Sequence, residues 1–296
     1  MMEIESWVEG ILLHRMEMQP VETHVEPRLQ KISGIKAVVF DIYGTLVISG
    51  SGDVGSADTA GGDAFIGQTL EEFKLLEKLV SVPDPDSLRQ KVEQLNRERC
   101  DSSCPNPEVD IVEVWRKVLA EKGWTASPSE TELVVRVATR YEALANPTWP
   151  MPGAADVLRN LNQADFLLGI VSNAQIFTPC LVSNLLGQDR LEKVGFDLDL
   201  CVFSNRYRQA KPGPRLFEVL LFGLSNRGIL PNEALYVGND MLNDMWAAAK
   251  AGLRTAWFAG DQRSCRPRED DTRCQAVTPD LVLTSLLQLP ECLSIS

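Results

Sequence analysis

Histidine is almost absent from this chain, which has two, His14 and His24, among 296 residues. Nothing near either one resembles a catalytic or metal-binding motif, so a histidine general base or a Ser-His-Asp triad is disfavoured. The seven cysteines are odd in number and follow no zinc-ligand spacing. We therefore expect reduced thiols, and neither a disulfide framework nor a structural zinc site.

Positive charge is also scarce, because 29 Lys and Arg residues stand against 41 Asp and Glu residues, a net charge of -12. A protein that binds a nucleic acid backbone needs a basic face, so no nucleic acid partner is expected. No run approaches the roughly 20 apolar residues that cross a bilayer, and the first residues do not resemble a secretory signal. We therefore expect a cytoplasmic protein without a membrane partner, and the sequence does not indicate its oligomeric state.

The segment 35–46 carries the clearest structural signal in the chain. Its apolar run from Ala37 to Phe40 predicts a strand buried on both faces, which ends abruptly at Asp41 and a glycine turn at Gly44. In an open parallel sheet the carboxyl ends of the strands line the crevice that binds ligands. Asp41 is thus either a functional carboxylate or the cap of an ordinary strand-to-helix turn.

The rest of the chain divides around this strand. Residues 1–34 are predicted to form an N-terminal extension, and residues 35–48 with 147–296 an α/β core. Residues 49–146 begin with a Gly- and Ser-rich tract that formally matches the dinucleotide fingerprint G-x-G-x-x-G. No helix pattern follows these glycines, so we interpret the tract as a flexible linker.

Four amphipathic helices are predicted in residues 68–146. The first is expected to start at a capping box of Thr69 and Glu72, and the fourth at one of Ser129 and Glu132. No strand pattern separates the four, so they are expected to form a small helical domain inserted into the core. The apolar face of the first helix is predicted to consist of Leu70, Phe73, Leu76 and Leu79.

After three prolines at positions 147, 150 and 152, strand and helix patterns alternate. This alternation predicts a doubly wound, mostly parallel sheet of the Rossmann-like α/β class. Helices are expected at 153–162, 216–224 and 244–252. The further strands are expected at 166–171, 200–203, 234–237, 255–258 and 281–283.

Several predicted strand ends and loops carry polar residues that a parallel sheet would bring to one edge. An aspartate can act as a nucleophile, hydroxyl and amide groups can hold an anion, and a lysine can neutralise developing charge. Two further acids can bind Mg²⁺ through oxygen, although both also precede a helix and could simply cap it. The set is Asp41, Thr45, Ser172, Asn173, Lys211, Asp240 and Asp244.

In four motifs the sequence resembles the haloacid dehalogenase-like (HAD) hydrolase superfamily. The first, Asp-x-x-Gly-Thr, spans 41–45, and the second is Ser172-Asn173. The third is Lys211-Pro212, and the fourth spans 238–244. The resemblance covers residues 35 to about 290, and the inserted helices match the family's cap.

The resemblance implies a role for each motif. Asp41 would attack phosphorus to form an aspartyl-phosphate, and Lys211 would support both the nucleophile and the phosphate. Thr45, Ser172 and Asn173 would bind the substrate, a small phosphorylated molecule. The cofactor would be Mg²⁺, held by Asp41, the Tyr43 carbonyl and the fourth motif, in which Asn239 and Asp240 compete for the first ligand position beside Asp244.

Tyr43 departs from the phosphatase pattern and leaves the reaction open. Phosphatases of the superfamily carry an acid/base Asp at this position, and a tyrosine is a poor base at neutral pH. The 2-haloacid dehalogenases carry a tyrosine here and use no metal, but their fourth motif is poor in acids. The predicted function is a Mg²⁺-dependent phosphatase, with a metal-independent dehalogenase and an inactive binding protein as alternatives.

Overall fold

The computed structural model describes residues 17–51 and 62–295. Eight strands form in these residues, and six of them make one parallel sheet with the order β5-β4-β1-β6-β7-β8. The strands in chain order are β1 (Ala37–Phe40), β2 (Val47–Ser49), β3 (Thr148–Pro150), β4 (Leu167–Ser172), β5 (Phe196–Phe203), β6 (Ala234–Gly238), β7 (Arg254–Phe258) and β8 (Leu281–Leu283).

Helices cover this sheet and fill the long segment between β2 and β3. A π-helical segment, Met241–Trp246, leads directly into the tenth α-helix. The α-helices are α1 (Gly62–Glu72), α2 (Pro85–Arg99), α3 (Ile111–Glu121), α4 (Thr131–Ala145), α5 (Ala154–Gln163), α6 (Thr178–Leu185), α7 (Leu191–Val194), α8 (Ser204–Tyr207), α9 (Arg215–Asn226), α10 (Ala247–Lys250), α11 (Thr272–Gln275) and α12 (Leu289–Cys292). None of the helices in the described ranges is long and apolar enough to cross a bilayer.

The position of β1 explains its apolar sequence. It pairs with β4 on one side and β6 on the other, and all four of its residues are fully buried. Val38 and Phe40 pack into the hydrophobic cluster on one face of the sheet, and Ala37 and Val39 into the cluster on the other. The predicted doubly wound α/β fold is confirmed. Because the strand order reverses at β1, the crevice at its carboxyl end is the expected ligand site.

The four helices α1–α4 leave and re-enter the core through one antiparallel ribbon. Strands β2 and β3 pair side by side, with Val47 opposite Pro150 and Ser49 opposite Thr148. Trp115 and Tyr141 pack edge to face at the centre of the helices, with ring centroids 5.3 Å apart. The assignment of 49–146 as a cap domain remains a prediction, and most of its glycine-rich tract lies outside the described residues.

The loop before α3 joins the inserted helices to the core. The Gln175 side chain, just beyond β4, donates to the Val109 carbonyl at 3.0 Å and accepts from the Ile111 amide at 3.0 Å. Ser204, at the end of β5, donates to Glu108 at 2.7 Å. These contacts fix the insertion against the carboxyl edge of the sheet, where the predicted site residues lie.

Details of the inserted helices differ from the sequence predictions. Helix α1 ends at Glu72, so the expected apolar face does not continue through Phe73, Leu76 and Leu79. Lys74 adopts a left-handed conformation with φ 56°, which stops the helix there. The capping box predicted at the start of α1 is also wrong, because Thr69 lies inside the helix and donates to the carbonyl of residue 65 at 2.7 Å.

The capping box near α4 lies two residues earlier than predicted, at Ser127 and Glu130 instead of Ser129 and Glu132. Both pairs have the required spacing, and Pro128 decides between them because a proline suits the first helical position. The predicted helix 244–252 begins earlier than expected, in the π-helical segment at Met241.

Part of the predicted N-terminal extension, residues 1–16, lies outside the described residues. Residues beyond it run along the β8 edge of the sheet. The Arg28 amide donates to the Val282 carbonyl at 2.9 Å, and the Thr23 hydroxyl to the Ala259 carbonyl at 2.6 Å. This stretch therefore packs against the core.

We expect Gly44→Ala to destabilise the protein by about 2–4 kcal/mol. Gly44 has φ +83°, and an added Cβ would lie 2.5 Å from Ser264 Oγ and 2.7 Å from Asn239 Nδ2. Gly187→Ala is the matched control, because Gly187 has φ +77° with open space around it and should cost only about 1 kcal/mol. Urea unfolding of both variants measures the difference, and equal costs would contradict the close packing at Gly44.

Candidate active site

One small cavity, about 40 Å³, opens at the carboxyl edge of the sheet. Its lining comes from the ends of β1, β4 and β6 and from two loops, so the strand ends converge as the parallel sheet predicts. Eight of the nine predicted site residues line it. The lining residues are Asp41, Tyr43, Ser172, Asn173, Lys211, Asn239, Asp240, Asn243, Asp244, Arg266 and Arg268.

A buried lysine lies at the centre of the site. Lys211 Nζ donates to Asp41 Oδ1 at 2.6 Å and to Asp244 Oδ1 at 2.5 Å. All three side chains are less than one-tenth exposed. The Asn173 side chain also positions the lysine, because the Lys211 backbone amide donates to Asn173 Oδ1 at 2.8 Å. The third motif therefore links the first to the fourth through charge-assisted hydrogen bonds.

The protonation of this cluster follows from its burial and its charges. Burial alone would lower the pKa of Lys211, but the charges of Asp244 and Asp41 outweigh it and raise that pKa well above its ordinary value. Burial raises the pKa of Asp244 to about 6, with the Lys211 ammonium acting against that rise. At neutral pH the lysine is therefore a cation between two carboxylates.

Tyr236 completes the buried cluster from strand β6. Its hydroxyl donates to the Val171 carbonyl at 2.7 Å and lies 3.1 Å from both Lys211 Nζ and Asp244 Oδ1. Burial, with the nearby charge of Asp244, raises the pKa of this tyrosine well above its usual value. The phenol therefore stays neutral and holds the lysine in place without adding charge.

The fourth motif presents two carboxylates with different partners. Asp240 caps the π-helical segment by accepting from the amides of Leu242 and Asn243 at 2.8 and 3.1 Å. The guanidinium of Arg268 forms an ion pair with the same carboxylate, with Nη2 2.6 Å from Oδ2. Asp244 accepts from the Asp240 amide at 2.9 Å through its second oxygen. The two carboxylates of the motif thus form ion pairs, and that of Asp240 also caps the helical segment.

Thr45 is the predicted site residue that does not line the cavity. It is fully buried, and its hydroxyl donates to Asn239 Oδ1 at 3.2 Å. Asn239 in turn donates to the Ser264 carbonyl at 2.5 Å, so its amide oxygen faces the first motif. Tyr43 lines the cavity, but its hydroxyl lies 3.0 Å from the Thr178 hydroxyl of α6.

Two cavity-lining arginines, Arg266 and Arg268, escaped the sequence analysis. Both lie in the loop after β7, which also contains Arg263. Three arginines within six residues, shortly after the strand predicted at 255–258, were the available signal. The family motifs do not extend to this loop, so the resemblance gave no reason to single them out.

Oxygen ligands suited to Mg²⁺ are present at the site. Three carboxylates and the amide side chains of Asn239 and Asn243 line the one cavity, and this donor chemistry fits a hard divalent cation. As the side chains lie, no three His, Cys, Asp or Glu residues in 17–51 and 62–295 form a ligand cluster. Lys211 and Arg268 hold the three carboxylates instead.

A family model for haloacid dehalogenase-like hydrolases matches residues 35–252. The chain belongs to this family. The match spans the parallel sheet from β1 through β6 and all four motifs, which confirms the superfamily resemblance and makes the protein a HAD-like hydrolase.

Both dehalogenases and a phosphatase are among the similar proteins. The (S)-2-haloacid dehalogenase 4A of Burkholderia cepacia is 25% identical over 225 residues, which cover 76% of this chain and 83% of that protein. A 2-haloacid dehalogenase structure from Pseudomonas syringae pv. Tomato DC3000 has a TM-score of 0.57 at 23% identity, covering 88% and 98% of the two chains. A structure described as a predicted phosphoglycolate phosphatase from Haemophilus somnus 129pt has a TM-score of 0.50 at 17% identity, with the same coverage. At such identities the structures show the shared fold.

We expect Lys211→Met to destabilise this HAD-like hydrolase by about 3–5 kcal/mol, because Asp41 and Asp244 would remain buried without their cation. The control is Lys193→Met, which removes the cation of an exposed pair with Asp189 and should cost less than about 1 kcal/mol. Urea unfolding at neutral pH compares them. A small loss in Lys211→Met would mean that the two carboxylates are solvated.

Proposed function

We propose that this protein hydrolyses phosphate monoesters of a small molecule, with Asp41 as the nucleophile and Mg²⁺ as the cofactor. The observation that carries the proposal is the presence of Asp240 and Asp244 in the same cavity as Asp41. Carboxylates repel one another and an anionic substrate, so three in one cavity are expected where a cation will offset them. A nucleophile that attacks carbon has no need of the two extra acids.

The polarity of the cavity also supports a phosphate substrate. Tyr43 is the sole aromatic among the lining residues, and no aliphatic side chain is among them. A haloalkyl group would gain little from burial in such surroundings, since apolar contact drives its binding. Hydroxyl, amide and cationic groups instead suit the oxygens of a phosphoryl group.

The reaction would proceed in two displacements at phosphorus. The free carboxylate oxygen of Asp41 attacks phosphorus, the ester P–O bond breaks, and an aspartyl-phosphate forms while the departing alkoxide takes a proton from water and leaves as the alcohol. Water then cleaves this intermediate, which releases phosphate and regenerates the carboxylate. Lys211 holds Asp41 in line through its other oxygen and neutralises charge near the phosphoryl group.

Other groups would bind the substrate and the cofactor. Ser172 lines the cavity and supplies a hydroxyl for a phosphate oxygen, while Asn173 sets the position of Lys211. When bound, Mg²⁺ would polarise the phosphoryl group and offset repulsion between nucleophile and substrate. The residues that would hold it are Asp41, the Tyr43 carbonyl, Asn239, Asp240 and Asp244.

Dehalogenation is the second candidate, because specific observations favour it. Tyr43 occupies the acid/base position, and the three carboxylates already have cationic partners without a metal. The Burkholderia cepacia relative is named as a haloacid dehalogenase. Arg266 and Arg268 also supply cations that could face a carboxylate or a halide. A HAD-fold binding protein without turnover is the third reading.

A single assay panel separates these readings. We expect the protein to release phosphate from monoesters with Mg²⁺ and to lose this activity in EDTA. Asp41→Asn should abolish turnover with little loss of stability, since Lys211 keeps Asp244 as a partner. Chloride release from 2-chloropropionate that persists in EDTA would instead establish the dehalogenase, and silence in both assays the binding protein.

We expect Tyr43→Phe to retain phosphatase activity within about threefold and to lose about 1 kcal/mol of stability. The Tyr43 hydroxyl pairs with Thr178 inside the protein, so its role is to hold α6 against the first motif. Loss of a general acid would instead lower kcat by about 10²–10⁴. Steady-state kinetics and urea unfolding of the one variant distinguish the two roles.

A further inference from the structure

Arg266 reaches the catalytic cavity from a rigid backbone. Its amide donates to the Asn239 carbonyl at 3.1 Å, and its carbonyl accepts from the Met241 amide at 2.9 Å. Residue 266 therefore pairs with Asp240 like an added parallel strand residue beside the fourth motif. These two backbone hydrogen bonds fix the main-chain position of Arg266. Their partners belong to the loop that carries the predicted metal ligands.

Among the three cationic side chains of the cavity lining, that of Arg266 alone has no carboxylate partner in the described ranges. Lys211 is paired with Asp41 and Asp244, and Arg268 with Asp240. The contacts of the Arg266 guanidinium are backbone carbonyls, with Nη1 donating to Arg263 at 2.7 Å and Cys265 at 3.2 Å. An arginine has five N–H donors, so this one keeps donors and its full charge for a ligand.

We propose that Arg266 binds a second anionic group of the substrate, so that the protein selects phosphate monoesters that also carry a carboxylate. The inference rests on the proposed phosphatase function. Lys211 and Ser172 serve the reacting phosphoryl group, which leaves Arg266 for another part of the molecule. Its planar guanidinium matches a carboxylate through two parallel hydrogen bonds. A carboxylate also suits the small cavity better than a second phosphate would.

The Asp41→Asn variant permits a binding test that does not depend on turnover. Two substrate pairs differ chiefly in a carboxylate against a hydroxymethyl group: D-3-phosphoglycerate with glycerol 3-phosphate, and 2-phosphoglycolate with 2-hydroxyethyl phosphate. In calorimetric titrations we expect the carboxylated member of at least one pair to bind about 10- to 100-fold more tightly. Adding Arg266→Gln should remove that preference. The affinity for the member without a carboxylate should stay within about twofold.

Two further variants separate recognition from other effects. Arg159→Gln makes the same charge change in an exposed pair on α5 and should preserve the preference. Arg266→Lys keeps the charge without the planar fork and should restore part of it. If Arg266 only ordered its loop through the carbonyls of 263 and 265, Arg266→Gln would weaken the binding of both members of a pair equally. That result would overturn the proposal. Equal binding of both members of both pairs by the parent variant would also overturn it.

The outcome stays distinct from that of the phosphatase assay. In the otherwise natural chain, Arg266→Gln should raise KM for the carboxylated ester about 10- to 100-fold and leave kcat within a few-fold. A preference in the binding titrations without phosphate release would retain Arg266 as an anion-binding residue and reject the phosphatase reaction. Phosphate release with no preference for either carboxylated ester would reject the role of Arg266 alone.

Discussion

The buried ion cluster of Lys211 with Asp41 and Asp244 is the interaction on which the rest of the site depends. A lone ammonium at this depth would favour its neutral form, and either carboxylate alone would favour its protonated form. In the cluster the Lys211 ammonium stays charged, because the two neighbouring carboxylates outweigh its desolvation. The cluster therefore holds the Asp41 carboxylate in one orientation, which suits the role of nucleophile that we propose for it.

The strand order of the sheet brings the residues of the site together. Asp41, Ser172 and Asp244 belong to segments up to about 200 residues apart, and they meet because β1 lies between β4 and β6. The apolar sequence of β1 pins the first motif at the centre of the core, where its backbone has little freedom. Gly238 then leaves room for the cluster, because a Cβ there would lie 2.5 Å from Asp244 Cγ. The packing of the core and the geometry of the candidate site thus depend on the same segments.

The sequence predicted most of the core, because β-branched runs that end in polar residues report both the strand and its functional end. It failed where two local patterns compete, as at the overlapping capping boxes before α4, and where one backbone conformation at Lys74 ends a helix that apolar spacing would extend. Arg266 was missed for another reason. The feature that singles it out is the absence of a carboxylate partner in the described residues. Local sequence spacing does not show which side chains pair across the fold.

The charges around the cavity connect the choice of reaction to the choice of cofactor. Its lining contains three carboxylates, one lysine and two arginines, so the side chains sum to neutrality. A phosphate monoester brings about two negative charges, and a divalent cation restores the balance. A haloacid brings only one, so it leaves a smaller excess of negative charge to offset. Tyr43 adds no charge to this sum, whereas an ionised acid at its position would have made the sum negative. A Mg²⁺ ion of the proposed phosphatase would need the Asp240 carboxylate, which Arg268 holds, so binding of the cofactor would require that ion pair to open.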